Sequence, residues 1–448
     1  MAYIPHTDAD RASMLAAIGI DSLDHLFDSV PEEHRFPRLN LPGKQSEMET
    51  LWEMQALANA NASAADSPMF LGAGAYNHYI PSVVNHILLR GEFYTAYTPY
   101  QPEVSQGTLQ AIFEWQSMIA VLTGMEAANA SHYDGATSLA EAVTVAIAHG
   151  RGKRRKVILS PNVHPHYRAV TRTYHQGTQT RFVGDKSGRA TLEDLIDMLD
   201  ENTAMLVVQY PNFFGQIEDF AGLAEKVHDA GALLCMVSDP MTLALFKSPG
   251  ELGADIAVGE AQSLGIPLSF GGPYAGFFAT KNELVRKIAG RIVGETVDAD
   301  GRRAYVMTLR PREQDIRREK ASSNICTNQG LMALASCIYL SVMGKHGLRR
   351  AAELCYHKSH YAAQEIAQLA GYSVNTDAPF FKEFVVTCPR PVKDINAALF
   401  NDHNIISGYD LSKDYMDRAN QMLVAVTETN TKAEIDALVK ALAKVGKE

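Results

Sequence analysis

Between residues 135 and 280 the chain alternates two kinds of segment, and this alternation limits the possible folds most. Apolar runs of four to seven residues ("KVILS", "AMLVVQY", "ALLCMVS") are separated by helical stretches such as "GATSLAEAVTVAIAHG", "HYRAVTRTYHQ", "TLEDLIDMLDEN" and "DFAGLAEKVHDAG". A crossover of about a dozen residues lets successive strands pair in parallel, and strands apolar on every residue need cover on both faces. The pattern predicts an α/β protein built on a large, mostly parallel sheet.

The flanks differ from this centre. An arm with "VPEEHRFPRLNLPGKQ" and the helical "SEMETLWEMQALANAN", which Ser46 can cap, forms an N-terminal segment over residues 1–60. Leu109, Ile112, Phe113, Met118, Ile119 and Leu122 of "SQGTLQAIFEWQSMIAVLTG" predict a long buried helix ended by Gly124. After "YAGFFAT" we expect a charged helix-loop region and two helices around "NQGLMALASCIYLSVMG" and "LRRAAELCYHKSHYAAQEIAQLAG". The tail reads "EFVVTCP", "VKDINAALFNDH", "QMLVAVTE", "KAEIDALVKALAKV", a strand-helix-strand-helix order. We therefore expect a large α/β domain over 61–344 and a small C-terminal α+β domain over 345–448.

A net charge of -10 argues against nucleic acid, whose binding needs concentrated Lys and Arg. The basic run "RGKRRKVILS" leads into a strand and reads as a solvated loop. Five cysteines without a C-x-x-C pair suit a reducing compartment, and the N-terminus has neither a signal-peptide core nor transit-peptide character. No apolar run approaches a membrane span of roughly 20 residues. The expectation is a cytoplasmic protein off the membrane.

Ligands of open α/β sheets gather where the strands end. In "NASHYDGATS", Gly135, Ala136 and Thr137 open a helix whose free N–H groups suit phosphate, although Ser131 or Asp134 could simply cap it. In "VSDPMTL", Asp239 stands where an aspartate can pair with a pyridinium nitrogen, or can serve as a turn residue before Pro240. "VGEAQSLGIPLSFGGPYAGFFATK" has the strand-turn-strand setting in which a pyridoxal enzyme presents its Schiff-base lysine, yet Ser263 and Leu264 occupy that place. Serine cannot form an imine. Lys247, in the loop "FKSPGELG", and Lys281, a solvated helix-start residue, are poor substitutes. The two histidines of "NVHPHYRAV" lack a second ligand cluster, so zinc is not expected, and "LSFGGPYAG" matches no nucleotide-binding pattern. "FYTAYTPYQPEVSQG" is rich in aromatic and hydroxylated residues without amphipathic period, and Pro99 and Pro102 stiffen it. It reads as a preorganised site or interface loop carrying Tyr97, Thr98, Tyr100 and Gln101.

"YTAYTPYQPEVSQG", "NASHYDGATSLAEA", "GGPYAGFFATK" and "RREKASSNICTNQGLMAL" together resemble the N-terminal half of glycine decarboxylase, the P-protein of the glycine cleavage system, from about residue 35 onward. The resemblance implies a pyridoxal-phosphate-dependent transferase fold, aspartate aminotransferase-like, of fold type I. It also implies the alpha chain of an enzyme split in some bacteria into two homologous subunits. The Schiff-base lysine would then lie in subunit 2, in an H-K pair where this chain reads "AQSL", with pyridoxal phosphate bound by that partner in an α2β2 heterotetramer. Glycine would be the substrate and the lipoyl arm of the H-protein the acceptor. On this reading Tyr97, Thr98, Tyr100 and Gln101 contribute to the partner's site. Arg318, Lys320 and Asn324 are weaker candidates, Arg318 being able to fork onto a carboxylate or to form a surface ion pair. Ser263, Gly135, Ala136, Thr137 and Asp239 would be remnants of a degenerate cofactor pocket. A non-catalytic scaffold, or a self-sufficient pyridoxal enzyme using another lysine, are the alternatives.

Overall fold

The computed structural model describes residues 5–185, 190–309, 314–321, 323–375 and 378–447. The chain divides into two units, Met1–Ala62 and Ser63–Glu448. In the first, helices Asp8–Ile18 and Glu47–Asn59 each begin with a reciprocal capping box, Thr7 with Asp10 and Ser46 with Glu49. Met48, Leu51, Trp52, Met54 and Leu57 of the second helix are all exposed.

The second unit is built on a seven-stranded sheet. Its strands are β1 (Ala127–Ala128), β2 (Lys156–Leu159), β3 (Arg181–Val183), β4 (Thr203–Tyr210), β5 (Leu233–Ser238), β6 (Ile256–Glu260) and β7 (Gly276–Thr280). Their order is β1-β7-β6-β5-β4-β2-β3. The pairs from β3 to β6 are parallel, and β7 runs antiparallel to both β6 and β1. Side chains alternate through the sheet as a period of two requires. Val157, Leu159, Val207, Cys235 and Val258 pack with helix Gly135–His149 on one face. Ile158, Leu206, Val208, Leu234 and Met236 pack with Leu195, Leu223 and Val227 on the other. The apolar runs are long because both faces are covered.

A hairpin of β8 (Ile292–Val297) and β9 (Arg303–Thr308) stands where the sequence suggested charged helix and loop. The overlooked signal was the turn "DADG" between alternating runs, in which Asp298 accepts from the N–H of both Asp300 and Arg302. Helix Gln106–Thr123 is amphipathic, not wholly buried. It buries Leu109, Trp115 and Ile119, while Val121 is exposed. The two helices expected after residue 329 meet at Gly344, which has a positive φ of 56° inside the span Gly330–Ala367. This span is long and apolar enough to cross a membrane, contrary to the sequence expectation. Its Ala335, Cys337 and Tyr339, and its Ala352, Cys355 and Ile366, are nevertheless buried in the protein's own core.

A second sheet closes the fold. It comprises β10 (Ser373–Val374), β11 (Glu383–Thr387), β12 (Tyr409–Asp410) and β13 (Gln421–Ala425), antiparallel in the order β10-β11-β13-β12. Helices Val392–His403 and Lys432–Val445 supply its buried cover through Val392, Ile395, Leu399, Ile435, Leu438 and Leu442.

Close packing at the ends of β5 and β6 depends on Gly259. A β-carbon there would strike the Ser238 carbonyl oxygen and lie 2.6 Å from the Phe277 ring. Neither the paired strand nor the enclosed ring can retreat cheaply, so Gly259→Ala is expected to cost about 1–3 kcal/mol in urea unfolding.

Candidate functional site

β5 ends at Ser238, and Asp239 turns out of the sheet. Its Oδ1 accepts hydrogen bonds from the Met241 N–H at 3.0 Å and from the Ser263 hydroxyl at 3.3 Å. Its Oδ2 lies 2.6 Å from Nζ of Lys382, whose side chain is 2% exposed. Asp239 is therefore both turn residue and ion-pair partner, and the cation on it comes from the chain itself. Burial alone would raise the Asp239 carboxyl, but the Lys382 ammonium outweighs it and holds the group below its usual range.

Lys382 links this aspartate to a buried polar chain. Its Nζ lies 3.0 Å from Nε2 of His78 and 3.5 Å from the centre of the Tyr76 ring. His78 Nδ1 is 2.7 Å from Glu428. The simplest assignment has Lys382 donating to Nε2 and the Nδ1 proton donated to the carboxylate. Burial, then the neighbouring ammonium, lower the His78 pKa against the opposing pull of the Glu428 carboxylate. Burial pushes Glu428 up, but His78 and the Tyr79 N–H outweigh it, leaving the carboxyl at about 2. His78, Cys355 and Glu428 group closely enough to suggest a metal, yet Cys355 already donates to Glu428 and the Lys382 ammonium opposes a second cation.

The helix start behaves similarly. Asp134 caps it, accepting from the Thr137 N–H at 2.7 Å, and the Gly135 N–H donates to Glu260 Oε2 at 3.0 Å. The other Glu260 oxygen accepts from the N–H of Ala275 at 3.0 Å and of Gln262 at 3.2 Å. Burial pushes this carboxyl up to about 8 against the pull of those donors. Of the sequence candidates here, Gly135, Ala136 and Thr137 are buried, and Ser263 is 2% exposed. The space shared by Ser263, Asp239, Glu260, His164 and Tyr167 is about 40 Å³. Small-molecule sites run to roughly 300 Å³ or more. Pyridoxal phosphate does not fit these residues, since the aldehyde has no amine, the aspartate is taken, and the cavity is too small.

The tyrosine loop lies elsewhere. Tyr97 is 83% exposed and Tyr100 43%, Gln101 is exposed, Thr98 is half-buried, and Pro99 is buried beneath them. Arg291 anchors the loop. It is 5% exposed, donates to the Tyr100 hydroxyl at 3.3 Å, and faces that ring at 5.6 Å. It also donates to Thr327 Oγ1 and to the Cys326 carbonyl, both at 2.9 Å, so it joins this loop to the segment 323–329. Gln106 adds a second mooring, bonded to both the N–H and the carbonyl of Tyr305 at 2.9 Å. Between loop and helices lies a cavity of about 220 Å³ lined by Phe93, Tyr97, Thr98, Ile112, Trp115 and Leu331, with Arg291 at its edge. Cys326 and Thr327 are the neighbours of Arg291 in their segment, whereas Arg318, Lys320 and Asn324 are exposed on the surface, Arg318 with a φ of 52°.

Sequence reasoning missed Lys382, Glu260, His78 and Arg291. Only Lys382 carried a signal, as a charge inside "FFKEFVVT", where an apolar strand leaves little room for an unpaired ammonium. Of the two substitute lysines, Lys247 is exposed, and Lys281 is ion-paired with Asp255 instead of simply solvated. Removing one partner of a buried pair strands the other, so Lys382→Met is expected to destabilise by about 3–5 kcal/mol in denaturant. Adding Asp239→Asn to it should restore part of that loss. A double variant no more stable than Lys382→Met would show that the pairing carries no weight.

Comparison with known proteins identifies the family and the fold. The family model described as glycine cleavage system P-protein matches residues 1–442. A "Probable glycine dehydrogenase (decarboxylating) subunit 1" from Thermomicrobium roseum is 54% identical over 445 residues, 99% of each chain. A protein of the same description from Geobacillus thermodenitrificans is 51% identical over 98% of each. A crystal structure of glycine decarboxylase (P-protein) of the glycine cleavage system, in inhibitor-bound form, superposes with a TM-score of 0.92 at 43% identity, covering 99% of this chain and 100% of that one. Mouse CSAD, at 15% identity over 91% of this chain and 90% of that one, has a TM-score of 0.69 and shows the shared fold alone. The fold is that of the type I pyridoxal-phosphate-dependent enzymes, and the chain belongs to the glycine cleavage system P-protein family.

Proposed function

We propose that this chain is the lysine-less alpha subunit of glycine dehydrogenase (aminomethyl-transferring, decarboxylating), acting in the cytoplasm with a homologous beta subunit in an α2β2 assembly. Together they would release the glycine carboxylate as CO2 and pass the aminomethyl group to the lipoyl arm of the H-protein. The observation that carries this reading is the buried Ser263 in a space closed by the Lys382–Asp239 pair, in a protein whose relatives are described as subunit 1 of this enzyme. Pyridoxal phosphate and its lysine belong to the partner, which supplies the electron sink.

The work of this chain is then positioning. Tyr97 and Gln101 present a phenol and an amide to the exterior, on a loop whose backbone is fixed by Pro99 and whose flanks are held by Arg291 and Gln106. Such groups orient a substrate or exclude water only if the loop does not move, and displacement by about 1 Å can cost on the order of a hundredfold in rate. The apolar lining of the adjoining cavity suits a partner segment or an aliphatic arm.

In the reconstituted complex, Tyr97→Phe or Tyr100→Phe is expected to lower turnover about tenfold or more while the assembly elutes unchanged in size. Unaltered turnover with normal assembly would favour a non-catalytic scaffold.

A further inference from the structure

A pyridoxal pocket on this fold must meet three needs: a stacked ring, an anion at a helix start, and a cation at the strand-end aspartate. Each need is met here by a side chain. The Tyr167 ring stacks on His164, with centroids 4.9 Å apart and planes inclined by 21°. Its phenol tip presses on the helix start, since a β-carbon at Gly135 would lie 2.8 Å from Tyr167 Cζ. The Glu260 carboxyl takes the Gly135 N–H at 3.0 Å. The Lys382 ammonium takes Asp239 at 2.6 Å.

We propose that Tyr167, Glu260 and Lys382 together form an internal stand-in for the cofactor, so that this pocket excludes pyridoxal phosphate and free phosphate altogether instead of merely lacking the lysine that would bond it. The distinction has content. If only the lysine were missing, the site would still bind the cofactor non-covalently and would be restored by one substitution. With all three positions filled, neither follows. The inference deepens the reading of a subunit without its own cofactor and can fail independently of it, because a weak non-covalent site here would leave the lysine of the partner in place.

The test compares wild type, Ser263→Lys and the opened variant Ser263→Lys/Tyr167→Ala/Glu260→Ser/Lys382→Met, in which all three stand-in groups are removed, each purified as the full chain and titrated with pyridoxal phosphate. Visible Schiff-base absorption and melting temperature are followed. The expected result is no band and no shift for wild type or Ser263→Lys, and a saturable band for the opened variant. One equivalent of Schiff base in Ser263→Lys alone, or a saturable rise in the wild-type melting temperature, would overturn the proposal. Because the opened variant can lose its fold, Glu260→Ser alone is also titrated with inorganic phosphate. Freeing the Gly135 N–H is expected to give a phosphate-dependent melting shift that wild type lacks, and an equal response from both proteins would count against the stand-in.

Discussion

The buried ion pair between Lys382 and Asp239 is the interaction on which the functional reading depends. An aspartate at the end of a central strand is costly to bury unless a cation compensates it. Where a cofactor supplies that charge, the protein needs no lysine. Here Lys382 enters from the residue before β11, so the second sheet is tied to the strand ends of the first. The same ammonium orders His78, and through it Glu428, whose backbone carbonyl and that of Asn430 accept from Lys358. One charge thus locks the large sheet, the 76–79 segment and the C-terminal sheet into a single polar network.

This arrangement divides the labour of the fold. The strand ends, where this class of sheet ordinarily places its chemistry, are consolidated into structure. The tyrosine loop, supported by Arg291, keeps the exposed phenol and amide groups. Such a split follows from stability, because a closed pocket whose carboxylates are already paired has little freedom left for binding, while a loop anchored at its base can present side chains without paying for their burial.

Much of the fold was legible in the sequence. The long apolar runs announced a sheet covered on both faces, and Asp134 as a cap and Asp239 as a turn residue were among the alternatives their neighbours allowed. Ser263 in place of lysine was visible from the motif alone. The site's internal closure was not. Lys382 lies about 140 residues from Asp239 in the chain, and nothing local in either segment names the other. Glu260 was not singled out, because its partners are the N–H groups of Gly135, on another helix, and of Ala275, beyond the turn. The β8–β9 hairpin was missed because the charges around its turn outweighed the alternation on either side. Long-range pairing decided the closure of the pocket, whereas the hairpin turned on local signals that were overlooked.

The most direct measurement is to reconstitute this chain with its partner and pyridoxal phosphate, reduce with borohydride, and map the phosphopyridoxyl group by mass spectrometry. The account predicts the label on a lysine of the partner and none on this chain. A stoichiometric adduct on Lys247, Lys281, Lys382 or any other lysine here would contradict it, and this chain would then hold a catalytic site of its own.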